Sequence, residues 1–187
     1  MKEFLIDESL SSLDPALAEL CDLEAERQAR KLIMIPSEST APLAVRKVLS
    51  SAFQNIYAEG YPRAETRYQS EEELFDYPMQ LDVYRRWSDL RYYKGVEYAD
   101  VVESVARRRA AELFAANGLN ADDLWVNVQP LSGAPANTAV YTALIKPGDP
   151  ILGMDLLHGG HLTHGSPVNR SGLVYTAHHY TVDPKTE

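Results

Sequence analysis

LGMDLLHGGHLTHGSP, residues 152–167, carries three histidines at a spacing of three: His158, His161 and His164. Gly159 and Gly160 separate the first two, and Gly165 follows the third. Adjacent glycines disfavour a helix and permit close backbone approach, so the stretch predicts a loop presenting imidazoles rather than a helical face. The run before it, Pro150–Met154, predicts a short buried strand. A strand that opens into a polar loop is where open α/β sheets place their ligands. The functional question is what these histidines face.

Composition narrows the possibilities. The chain has 187 residues, 45% hydrophobic and 24% charged, which suffices for one domain with a core. Its formal net charge is −9 and its lysines and arginines are scattered, so no nucleic-acid surface is expected. The single cysteine, Cys21, excludes an internal disulfide and fits a reducing compartment. No apolar run approaches the roughly 18 residues of a membrane span. The opening MKEFLIDESL carries early acids and lacks the apolar run of a secretory signal. A soluble, cytoplasmic protein is expected.

Elements follow from local pattern. Asp14-Pro15 opens a helix in which Leu13, Leu17, Leu20 and Leu23 recur at helical spacing, ending near Leu32. Residues 1–35 form a helical arm on this reading, and residues 36–187 the body. Pro42 starts a helix running to about Phe53, after a Pro36–Thr40 stretch in which Ser37 or Ser39 alone reads as turn or cap chemistry. Tyr57-Ala-Glu-Gly-Tyr-Pro62 sets a carboxylate, Glu59, between two phenols in a loop. Such a carboxylate can transfer protons if its environment tunes it, or the stretch can be a surface turn with packed aromatics. Ser70 begins a helix that Pro78 interrupts, and Leu81, Tyr84 and Trp87 form a stripe on a second one. Residues 64–90 thus read as a partly helical surface insert. A long amphipathic helix is expected from Glu97 to Asn117, with Val101, Val102, Val105, Ala106, Ala110, Leu113 and Phe114 inward and Arg107–Arg109 in solvent. Leu124–Pro130 reads as a strand, Ser132-Gly133 as a helix start, and Leu173–Val182 as a further strand. A helix start after a strand is a ready anion site, because its first amides lack partners, although many Ser-Gly starts hold no phosphate.

The chain resembles serine hydroxymethyltransferase, a pyridoxal-phosphate enzyme that interconverts serine and glycine with a folate carrier. The resemblance rests on Tyr57–Pro62, Gly95–Glu103, Asn127–Pro130, Ser132-Gly133, Ala136-Asn137, Gly148-Asp149 and the long Leu152–Asn169 stretch. It implies the N-terminal part of a fold-type I large domain, a three-layer α/β/α arrangement around a mostly parallel sheet, preceded by the arm. It also implies pyridoxal 5'-phosphate as cofactor, tetrahydrofolate as co-substrate, and a homodimer or tetramer. Ser37 resembles the family's serine that binds the amino-acid carboxylate. Tyr57, Glu59 and Tyr93 resemble its two active-site tyrosines and proton-transferring glutamate. Ser132, Gly133 and Ala134 resemble its phosphate cup, and His158 the imidazole stacked on the cofactor ring. His161 lies close behind, at the substrate.

The chain departs from the family pattern at three places. The family carries His-Ser-Gly-Ser-Gln-Ala-Asn at the cup, where this chain has Leu131-Ser-Gly-Ala-Pro-Ala-Asn137. Ala134 lacks a hydroxyl and Pro135 lacks an N–H, so weaker phosphate holding is expected. Residues 63–90 separate Pro62 from Arg91, where the family has only a couple; the insert is expected to cover the site entrance or the dimer seam. The six lysines, Lys2, Lys31, Lys47, Lys94, Lys146 and Lys185, do not stand in the Thr-rich His-Lys setting of the family's cofactor-bearing lysine. A fragment or half-enzyme, inactive alone, is the expectation. The alternatives are an inactive partner subunit lending residues to another chain, and an aldolase acting on β-hydroxy amino acids. A metal site on His158, His161 and His164 is disfavoured by the Gly-Gly pair and the lack of paired cysteines.

Overall fold

In the computed structural model, Asp14 turns the chain into its first long helix by accepting a hydrogen bond from the Leu17 N–H at 3.0 Å. Residues 8–87 and 90–186 are described. A one-turn helix α1 (Leu10–Leu13) precedes α2 (Pro15–Arg30), where Pro15 occupies a position that needs no N–H donor. The Leu32–Ile35 run is irregular, and α3 (Leu43–Leu49) follows Pro42. A 3₁₀ turn (Ala52–Asn55) separates from α3 the residues that the sequence assigned to one helix up to Phe53. Ser50 and Ser51 cause the break: their hydroxyls bond back to the carbonyls of Lys47 and Val48 and compete with the helical ladder.

The 64–90 segment contains a 3₁₀ turn (Ala64–Tyr68), α4 (Glu71–Phe75) and α5 (Tyr77–Trp87). Ser70 and Glu73 form a reciprocal capping box at the start of α4. Pro78 falls in the first turn of α5, where it is tolerated. The long helix α6 spans Glu97–Phe114, three residues short of the expected end, and Asn117 and Gly118 then take positive φ angles. Its inward face is Val101, Ser104, Val105 and Ala111, whereas Val102, Leu113 and Phe114 are exposed. Arg107 and Arg108 are half-buried rather than in solvent: Arg107 Nε donates to the Val126 carbonyl, and Arg108 pairs with Glu112 and Asp122.

A 3₁₀ turn (Ala121–Asp123) leads to residues 124–130, which are not a strand, because no neighbouring strand pairs with them among the described residues. Helix α7 (Gly133–Leu144) and strand β1 (Pro150–Met154) follow as the sequence predicts, although β1 is half-exposed rather than buried. After the histidine loop come α8 (Arg170–Val174) and β2 (Thr176–Tyr180), so the expected Leu173–Val182 strand is shorter and begins after a helical turn capped by Asn169. β1 and β2 pair in parallel, with Pro150 opposite Thr176 and Met154 opposite Tyr180. An α/β chain with a small parallel sheet is what these elements amount to.

The chain divides into two compact units, Met1–Val105 and Ala106–Glu187. In the first, Leu74, Val101 and Val105 form the buried hydrophobic cluster, with Leu74 only 1% exposed. The 64–90 segment is therefore not surface elaboration: it supplies the most deeply buried side chain of that cluster. Among the described residues, apolar side chains of α2, α7 and β1 stay exposed, as Leu17, Leu20, Leu144 and Leu152 show. Truncating Leu74→Ala should cost about 2–5 kcal/mol of unfolding free energy, read from the shift of a urea transition.

Candidate active site

The residues singled out from the sequence fall in both units. In the first unit, Tyr57 OH donates to Glu59 Oε2 at 3.1 Å, and the rings of Tyr57 and Tyr93 meet edge to face with centroids 4.7 Å apart. Both tyrosines are exposed. The Glu59 carboxylate accepts the Tyr57 hydrogen bond and repels a phenolate, so it holds the Tyr57 phenol above its ordinary ionisation range; the neighbouring Tyr93 adds to the effect.

Arg91 fixes this arrangement. Its side chain is 1% exposed, and all three guanidinium nitrogens are engaged. Nε donates to Asp100 at 2.5 Å and Nη2 to Glu103 at 2.6 Å, both carboxylates standing on α6. Nη1 donates to the carbonyls of Ala58 and Gly60, at 2.7 and 3.0 Å. Those carbonyls flank Glu59, so the guanidinium clamps the loop on either side of the carboxylate. The Tyr92 N–H completes the link by donating to the Glu59 carbonyl at 3.1 Å. Gly60 is required here: its φ is +108°, and a Cβ would lie 2.9 Å from Arg91 Cα. Sequence reading missed Arg91. The available signal was an arginine beside Tyr92-Tyr93 with Asp100 and Glu103 three apart on the next helix.

Ser37 sits exposed in a turn closed by the Glu38 N–H on the Ile35 carbonyl, and no described hydrogen bond joins it to the tyrosine cluster.

In the second unit, the histidine stretch is a loop, as its glycines predict. A 3₁₀ turn (Leu156–His158) is capped by Asp155 and ended by Gly159 at φ +101°. Gly160 N–H bonds to the Asp155 carbonyl at 2.9 Å, and a Cβ at Gly160 would collide with the Met154 carbonyl oxygen. His158 Nδ1 accepts the Val182 N–H at 3.3 Å, which orients the ring and leaves the proton of a neutral imidazole on Nε2. His161 Nδ1 lies 2.7 Å from Thr163 Oγ1. The buried Thr163 is bound in turn by Asn137 Nδ2 at 2.7 Å and, through its carbonyl, by Tyr141 OH at 2.9 Å. Asn137 and Tyr141 belong to α7, so the loop is latched to the helix whose first residues are the expected cup. His164 Nδ1 accepts the His161 N–H at 3.3 Å. Among the described residues, no group of three or more His, Cys, Asp or Glu side chains is disposed to hold a metal ion.

The start of α7 suits an anion. Ser132 precedes the helix with extended backbone and makes no side-chain cap, so its hydroxyl is not committed to the helix. The Gly133 and Ala134 amides head a 12-residue helix, and a Cβ at Gly133 would meet nothing within 4 Å. Pro135 contributes no N–H. Ser132 and the Gly133 and Ala134 amides are the donors this helix start would offer to an anion.

The serine hydroxymethyltransferase family model matches residues 10–89 and 82–187, two parts that overlap within the 64–90 segment. The chain is a member of the serine hydroxymethyltransferase family. It is similar to the serine hydroxymethyltransferase of Prochlorococcus marinus (strain NATL2A), 46% identical over 174 residues, covering 93% of this chain and 34% of that protein. The Deinococcus deserti serine hydroxymethyltransferase is 46% identical over 180 residues, covering 96% of this chain and 36% of its own length. That of Kocuria rhizophila is 43% identical over 186 residues, again with 36% of its length covered. The chain thus spans about a third of the length of the curated relatives it matches. No described helix is long and apolar enough to cross a membrane.

Two outcomes test the cluster. Arg91→Ala strands Asp100 and Glu103 without their cation and should cost about 3–5 kcal/mol in chemical denaturation. Glu59→Gln should lower the ionisation range of Tyr57, seen as an earlier phenolate absorbance rise on alkaline titration against a Tyr57→Phe reference. The sign follows from linkage: the raised value means the Tyr57–Glu59 bond contributes below the ordinary tyrosine range and is lost as pH climbs through the raised one.

Proposed function

We propose that the chain forms the N-terminal part of a pyridoxal-phosphate-dependent serine hydroxymethyltransferase, which reversibly transfers a hydroxymethyl group between serine and glycine with tetrahydrofolate. The observation that carries this reading is the clamped Tyr57–Glu59–Tyr93 cluster in a chain whose second unit pairs a histidine loop with an anion-ready helix start. The cofactor, when bound, supplies an electron sink for charge developing at the amino-acid α-carbon.

This chain's residues divide the remaining work. Ser132 and the Gly133 and Ala134 amides hold the phosphate. His158, oriented through its Nδ1, would pack on the cofactor ring. Ser37 binds the amino-acid carboxylate, and His161 backs the substrate from the loop. Glu59 takes the proton from the serine hydroxyl as the one-carbon unit leaves and returns it in the reverse direction. Tyr57 holds the Glu59 carboxylate through its hydroxyl, and Tyr93 sets the Tyr57 ring. The lysine that carries the cofactor is not one of the six lysines here and comes from elsewhere in the assembled enzyme. In a homodimer the Tyr57–Glu59 and Tyr93 loops reach the neighbouring subunit's site.

In the full protein, Glu59→Gln should lower folate-dependent serine cleavage by about 10²–10⁴-fold while serine still perturbs the cofactor's visible spectrum. Unchanged cleavage would remove Glu59 from the mechanism. Ala134→Ser restores one hydroxyl to the cup and should slow cofactor loss on dialysis by about tenfold.

A further inference from the structure

Residues 64–90 join the loop that bears Tyr57 and Glu59 to the loop that bears Tyr93. A pendant excursion at this place would keep its side chains in water. Instead Leu74 is buried against Val101 and Val105 of α6. Thr66 Oγ1 lies 2.9 Å from Ser104 Oγ on the same helix. Gln80 Nε2 donates to Gln69 Oε1 and to the Glu73 carbonyl, at 3.1 and 2.9 Å, tying α5 back to α4 and its approach. The segment therefore grips the stretch of α6 that carries Asp100 and Glu103, the carboxylates that hold Arg91. At its far end, the Tyr84 hydroxyl accepts the Gly95 N–H at 3.2 Å. Gly95 closes the loop that Arg91 opens, and Val96 immediately after it is 1% exposed.

We propose that the 64–90 segment is a positioning element for the Tyr57–Glu59–Tyr93 cluster, acting on α6 through Leu74 and on the Tyr93 loop through the Tyr84 hydroxyl. The loop is held at Arg91 by the buried guanidinium and at Gly95 by Tyr84. With the second hold removed, the loop hinges at Arg91 and the Tyr93 edge contact on Tyr57 relaxes. The Tyr92 N–H on the Glu59 carbonyl then carries the slack to Glu59. The inference rests on the reading of this cluster as the proton-handling part of the site.

The test is Tyr84→Phe in the full cofactor-loaded protein, with Tyr77→Phe as control. Tyr77 lies in the same segment and packs its ring on Phe75 and Tyr98. Amide hydrogen exchange in Tyr84→Phe should quicken about tenfold over residues 91–96 and 57–61, with residues 101–111 unchanged and Tyr77→Phe like the parent. In the same preparation kcat for serine cleavage should fall with KM for serine held, because the loosened groups act on the hydroxymethyl end of the substrate. Quickened exchange confined to residues 93–96, or an unchanged kcat in an active enzyme, overturns the proposal. If the parent protein shows no serine–glycine interconversion while Tyr84→Phe still loosens residues 57–61, the functional reading fails and the positioning role stands.

Discussion

The candidate site of the first unit depends on one buried cation. Arg91 is almost wholly removed from water, and a guanidinium there persists only if its donors are met. Two carboxylates from α6 meet the charge through Nε and Nη2, and two backbone carbonyls meet the two Nη1 N–H groups. The planar fork makes this possible, because its five donors leave in fixed directions that a lysine ammonium cannot reproduce. What results is a rigid link between a helix and a loop that has no regular structure of its own. Glu59 is presented by that link, between the two clamped carbonyls of Ala58 and Gly60.

The second unit solves the same problem without a buried charge. Its histidine loop has no ladder of hydrogen bonds, so it borrows order from glycine and from α7. Gly160 lets the chain fold back onto the end of β1, and Thr163 gathers bonds from His161, Asn137 and Tyr141. The helix that offers its first amides to an anion is thus the helix that holds the imidazole loop. The Thr163 hydrogen bonds tie the His161 side of the loop to that helix, while the Val182 N–H orients His158.

The 64–90 segment shows how a long connection becomes structural. A longer connection is tolerated because closing a longer loop costs little extra entropy. Once present, it can bury its own apolar residues only against its neighbours. Leu74 does so against α6, and from then on the helix and the segment form one core.

Much of this was legible in the sequence, because it is local. Asp14-Pro15, the Ser70 capping pair, the Ser132-Gly133 helix start and the Gly159-Gly160 loop each act on residues within one turn, and each lies where the sequence places it. The family was legible too, in the unbroken Leu152–Asn169 stretch. Periodicity failed where burial depends on partners: Val102, Leu113 and Phe114 fit an apolar stripe yet stay exposed, and residues 124–130 alternate like a strand yet form none among the described residues. Arg91 was illegible for the same reason, since its partners lie up to 33 residues away and only the folded chain brings them together. The sequence by itself determined the caps, turns and loop chemistry. The tertiary structure alone decided which carboxylate is held, because that choice is made by desolvating a cation between groups far apart in the chain.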